Sequence, residues 1–146
     1  MSSPTASEPR PEAATGFGVF RPRILHTSYH VADIDRALAF YVGVLGMKEQ
    51  LRLDLSKTLH EVVLGFPDGK GAGVILMWDT ARATPLQLGD GYSRFVLHVS
   101  DVDAATAHLR EHGTRISVPP TDAGPMRYSM VLDPDGYTIE LLQLKR

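Results

Sequence analysis

The chain has 146 residues, 43% of them hydrophobic and 22% charged, with a formal net charge of −2 and no cysteine. That is enough chain for one modest soluble domain with its own core. It excludes disulfides, thiol catalysis and cysteine zinc sites, and with no basic block or long apolar run it argues against a nucleic-acid partner or a membrane span.

Residues 1–20, "MSSPTASEPRPEAATGFGVF", are rich in Ser, Pro, Ala and Glu and lack the apolar core of a secretory signal. They read as a disordered tail ahead of a single domain over 21–146, with a cytoplasmic setting as the default. The run "ILHTSYHV" reads as a strand, and Asp33 follows as a helix N-cap. Ile34, Ala37, Leu38, Tyr41, Val42 and Leu45 then form one apolar helical stripe that ends at Gly46. Three strands come next: "KEQLRLDL", "LHEVVLGF" and "GAGVILMWD". "PDGKGAG" lacks phosphate-loop spacing and reads as the hairpin between the last two.

After the loop "TARATPLQLGDG" the pattern starts again. "HVADIDRALA" at 30–39 and "HVSDVDAATA" at 98–107 share six of ten residues at an offset of 68. The second copy has a strand "SRFVLHV", a helix from Val102 towards Gly113 capped by Asp101, then "RISVPP", "MRYSMVLD" and "YTIELLQL". Each half is therefore βαβββ: module one over 23–79, a linker over 80–92, and module two over 93–145. The fold class is α+β, with two tandem modules forming curved sheets around a cleft. A ferredoxin-like sandwich is the rival, but three successive strands after each helix argue against it.

In "DPDGYTIELLQ" a turn precedes a strand on which Gly136, Thr138, Glu140 and Leu142 share one face. A carboxylate between apolar neighbours needs a cation, a donor or a proton.

The strand–helix unit "HTSYHVADIDRALAFYVGVLGMK", the "DPDGYTIEL" ending and the duplication resemble the vicinal oxygen chelate superfamily. That superfamily includes glyoxalase I, extradiol dioxygenases and bleomycin-resistance proteins, and the details look most like bacterial glyoxalase I. The resemblance implies a metal site of four positions, which carry over to His26, Leu76, Arg94 and Glu140. Leucine cannot bind a metal, and arginine only donates. No resident cofactor is therefore expected; a divalent metal, if bound, would rest on His26 and Glu140.

The resemblance implies a glyoxalase-like lyase or isomerase for a small or medium oxygenated substrate. His26 and Glu140 would move protons, and Arg94 would steady an oxyanion or pair with Glu140. The alternatives are a metal-free binding protein that sequesters a drug or natural product, and a metalloenzyme with a non-standard ligand set. A homodimer is implied, with modules paired within or between chains. Substrate-lining candidates are Trp78 and Leu76, expected on the cleft face with Ile75 and Met77 towards the helices, together with His30, His98 and Glu61. His30 stands where glyoxalase I has an arginine for glutathione. His98 is about 13 Å along the strand from Arg94 and cannot replace it as a ligand. His30 and His98 also read as helix-entrance residues, and His108 and His112 as solvent-exposed.

Overall fold

The computed structural model describes residues 15–146. Residues 1–14 of the expected tail lie outside the described residues, and Thr15–Phe20 form a short helix, α1. Module one then runs β1 (His26–His30), α2 (Ile34–Leu38), β2 (Lys48–Asp54), β3 (Leu59–Gly65) and β4 (Gly73–Asp79). Module two runs β5 (Phe95–His98), α3 (Val102–Glu111), β6 (Arg115–Ala123), β7 (Met126–Leu132) and β8 (Thr138–Leu144).

The two modules make two four-stranded sheets, ordered β1-β4-β3-β2 and β5-β8-β7-β6. In each, the first strand lies parallel to the last and the other pairings are antiparallel. A parallel pair needs a crossover, and the helix supplies it. Both helices start as their sequences predict: the Asp33 and Asp101 carboxylates each accept a 3.0 Å bond from the third amide onward, Arg36 and Ala104.

The first helix departs from the simple stripe. After Leu38 it widens into a π-helical turn over Ala39–Val44, and the Leu45 amide donates to the Phe40 carbonyl, five residues back. The extra residue per turn rotates the following face. Phe40, which the stripe left out, is buried beside Tyr41, whereas Val42, expected on the stripe, is exposed. In β6, Pro119 and Pro120 cannot donate to the ladder, and the pairing with β7 shifts register across them.

The core lies between helices and sheets. It joins Val62, Leu64, Val74 and Leu76 of module one to Val131, Ile139 and Leu141 of module two. Tyr29 of β1 meets Phe95 of β5 at a ring distance of 6.1 Å and Tyr137 at 4.8 Å. Polar bonds also cross between the modules. The Tyr137 hydroxyl donates to the His30 carbonyl (2.7 Å), and the Tyr41 hydroxyl donates to Asp133 (2.7 Å). Arg36 and the Ala32 amide both reach Asp135. Burial pushes the Tyr41 and Tyr29 hydroxyls well above the ordinary tyrosine range and raises the Asp133 carboxyl.

Candidate active site on the open sheet face

Strand alternation gives each sheet one face towards the helices and one open face. Val74 and Leu76 belong to the core, and Leu76 is fully buried. Ile75 and Met77 therefore point to the open face, the reverse of the sequence expectation. The pairings define two open-face rows in module one: Leu51–Val63–Ile75–Ser28, and Leu53–Glu61–Met77–His30. Module two has matching rows: Val118–Met130–Glu140–Val96, and Thr121–Tyr128–Leu142–His98.

The rows correct the residue alignment. His30 and His98 are equivalent, and they pair with Met77 and Leu142. Two residues back on the last strand, the counterpart of Glu140 is Ile75, not Leu76. A slip of one residue turns a strand over, and Leu76 belongs to the core face. With the register fixed by the pairings, "VILM" superposes on "IELL", and only the Ile75/Glu140 position changes class.

Trp78 is corrected with Leu76. It shares their helix-side face, packs on the core and stacks on His60 at 5.2 Å, while His60 Nδ1 meets Asp54 at 2.6 Å. Glu61 does reach the open face, opposite Met77. His98 is exposed at the end of β5. His30 lines a cavity of about 550 Å³ with Ser28, Arg82, Gln87, Tyr92 and Tyr137, and its Nδ1 is buried without a partner. Tyr92, whose hydroxyl donates to the Thr138 carbonyl, is pushed up to about 12 by burial.

Glu140 has its cation. Arg94 Nε donates to Glu140 Oε2 in an ion pair whose glutamate side chain is 12% exposed and whose arginine side chain is 42% exposed. The bond to Glu140 raises the arginine further above its usual range. Arg94 Nη1 reaches Ser93 Oγ at 3.3 Å, and Nη2 points to no protein acceptor among the described residues. Val96 and Met130, which the sequence reading did not single out, flank Glu140 across the ladder. His26 lies against Gly73 on the other sheet, where a Cβ on the glycine would stand 2.9 Å from His26 Cδ2. Within one chain, then, His26 and Ile75 lie on the sheet of module one, and the Arg94–Glu140 pair belongs to module two. Among the described residues no three His, Asp or Glu side chains gather as a metal group.

Residues 23–141 match the Glyoxalase/Bleomycin resistance protein/Dioxygenase superfamily. The chain belongs to that superfamily. A lactoylglutathione lyase of Neisseria meningitidis is 33% identical over 132 residues, covering 84% of this chain and 91% of the relative. The trypanothione-dependent glyoxalase I of Leishmania major superposes with a TM-score of 0.72 at 33% identity, over 84% of this chain and 86% of that one. An antibiotic-binding protein from a Streptomyces species superposes with a TM-score of 0.65 at 27% identity, over 85% of this chain and 97% of that one. The lyase relatives place this superfamily member with the enzymes of the glyoxalase-like branch. No helix among the described residues is long and apolar enough to cross a membrane.

Proposed function

We propose that this chain is a glyoxalase-like lyase or isomerase in which an arginine takes the place of a metal ligand. The Arg94–Glu140 ion pair on the open face carries the reading. The guanidinium holds the carboxylate in place on the open face, where Glu140 acts as the base. It removes a proton from the carbon beside a carbonyl. The negative charge that develops on oxygen meets the free Nη2 of Arg94. The proton returns to the neighbouring carbon, and His26 carries a proton between the two oxygens. One C–H bond breaks and one forms, so the step is an isomerisation and needs no co-reactant.

The divalent metal of glyoxalase I does not fit these residues. Ile75 has no donor atom, Arg94 only donates, and Arg94 already holds Glu140.

The half-sites fall in separate sheets, so the complete site takes His26 from one chain and Arg94 and Glu140 from a second. A homodimer supplies this. Leu51, Leu53 and Val96 on the open rows are 51%, 40% and 48% exposed, apolar surface that a second copy would cover. The cavity at His30, with Arg82 on its rim, takes the non-reacting part of the substrate. A cytoplasmic setting belongs to the same reading.

The second reading is a binding protein for a drug or natural product. The Streptomyces relative and the apolar open rows favour it.

The deciding experiment offers 2-oxoaldehyde adducts of glutathione and of smaller thiols, and follows thioester formation with and without chelator. Turnover that survives chelator and disappears in Glu140→Gln is expected. Turnover only with added metal would overturn the arginine mechanism. No turnover with any adduct, together with stoichiometric uptake of an apolar antibiotic, would establish the second reading.

A further inference from the structure

His108 stands in the last turn of α3 and His112 caps its C-terminus, four residues on. We propose that His108 and His112 form a two-histidine site for a divalent transition ion of the Cu²⁺, Ni²⁺ or Zn²⁺ class, at the junction between the modules. Residues i and i+4 share a helix face, and the two rings lie 4.4 Å apart between centroids.

The hydrogen bonds define the tautomers. A carbonyl oxygen only accepts, so any ring nitrogen beside one must carry a proton. His108 Nε2 lies 3.0 Å from the Val44 carbonyl, which leaves the lone pair on Nδ1. His112 Nδ1 lies 2.8 Å from the His108 carbonyl, which leaves the lone pair on Nε2. Each ring therefore has one N–H held by a backbone carbonyl and one free lone pair. That is the arrangement in which histidine ligands are held at metal centres, because the second bond fixes the ring and raises its basicity.

Both side chains are exposed. Bringing the lone pairs to metal–nitrogen distances of about 2.0–2.1 Å therefore moves surface side chains and leaves the core packing alone. Imidazole suits this class of ion. With no third His, Asp or Glu in reach among the described residues, water completes the coordination sphere. The site is also placed to matter to the fold. His108 reaches the carbonyl of Val44, the last residue of the π-helical turn, so an ion on the pair would pin the end of α3 against module one. An ion that binds only the folded chain raises its melting temperature.

The test must separate this pair from His26 and Glu140. In a His26→Ala/Glu140→Gln background, calorimetric titration with Cu²⁺ should give one ion per chain. His108→Ala or His112→Gln should then weaken it by about tenfold or more, with Ni²⁺ and Zn²⁺ binding less tightly than Cu²⁺. His112→Gln keeps an N–H for the His108 carbonyl. An unchanged ion-free melting temperature beside lost binding thus separates ligation from helix capping. In the unmodified chain, substoichiometric Cu²⁺ should broaden the ring proton signals of His108 and His112 first. The proposal is overturned if the background variant takes up no Cu²⁺, or takes it up equally after either substitution. Broadening confined to the other four of the six histidines would also overturn it.

Discussion

At Glu140 the cost of a charge between Val96 and Met130 is met by one guanidinium. Removing either partner leaves the other uncompensated, whereas removing both removes the mismatch. In a thermal-melt cycle, Arg94→Met and Glu140→Gln should each destabilise, and the double variant should lose less than the sum. Additive losses would show that the two side chains act independently in solution. This pair was legible in the sequence through the family resemblance, which carries Arg94 and Glu140 to neighbouring positions of one cleft, where a guanidinium can grip a carboxylate. The roles of Trp78 and Leu76 were not. Both strand faces of β4 are apolar, so hydrophobicity alone could not say which face meets the helices. Asp133 was equally hidden: its turn motif was plain, but the Tyr41 hydroxyl that satisfies it comes from the other module.

The elements make the register testable. Ile75→Glu puts a carboxylate on the open face and should leave a folded protein. Leu76→Glu buries one in the core and should cost more than about 4 kcal/mol, enough to prevent folding. Circular dichroism of the two variants decides; equal tolerance would mean the strand is turned over. Combining Ile75→Glu with Arg94→His puts a donor at all four matched positions, and zinc affinity should rise in calorimetry. A second test concerns how α3 is tied to its sheet. Arg127 of β7 donates to Asp103 on α3 (2.8 and 2.9 Å) and to Asp122 on β6 (3.1 Å). The Asp103 carboxyl is lowered chiefly by Arg127, and the Asp122 carboxyl by Lys145 first and Arg127 next. A lowered carboxyl stabilises the fold above its unfolded value, about pH 4, and loses that contribution as pH falls through the lowered one. Asp133, raised by burial, runs the other way and loses stability as pH rises. Arg127→Met should therefore flatten the acid limb of a melting-temperature profile below about pH 4. An unchanged limb would show that these ion pairs contribute nothing in solution. Strand and helix types were readable from periodicity and caps, but the π-helical turn was not. Nothing in "AFYVGV" marks the extra residue; only the burial of Phe40 and exposure of Val42 reveal it.

For the whole molecule, the proposed division of the site between sheets leads to a mixing experiment. A His26→Ala chain and a Glu140→Gln chain should each be inactive as homodimers. Co-expressed, they should recover activity, because one of the two sites in a mixed dimer takes His26 and Glu140 from the unaltered halves. Absence of recovery, with mixed dimers shown by mass spectrometry, would place each whole site within one chain. The duplication was legible because six identities at one offset are hard to obtain otherwise; the homodimer was expected from the resemblance alone, and the mixing experiment is its test. The pairing of first strand with last has a consequence for how the chain gets there. In each module the three consecutive strands can zip together through short turns, whereas β1 must wait for β4, and β5 for β8, across nearly the whole module. Closing so long a loop costs entropy before any contact repays it. The strands that carry His26 and lead in from Arg94 are therefore the last to settle. A nascent chain emerging from the ribosome has no partner for β1 until Asp79 is out, and none for β5 until β8 is made.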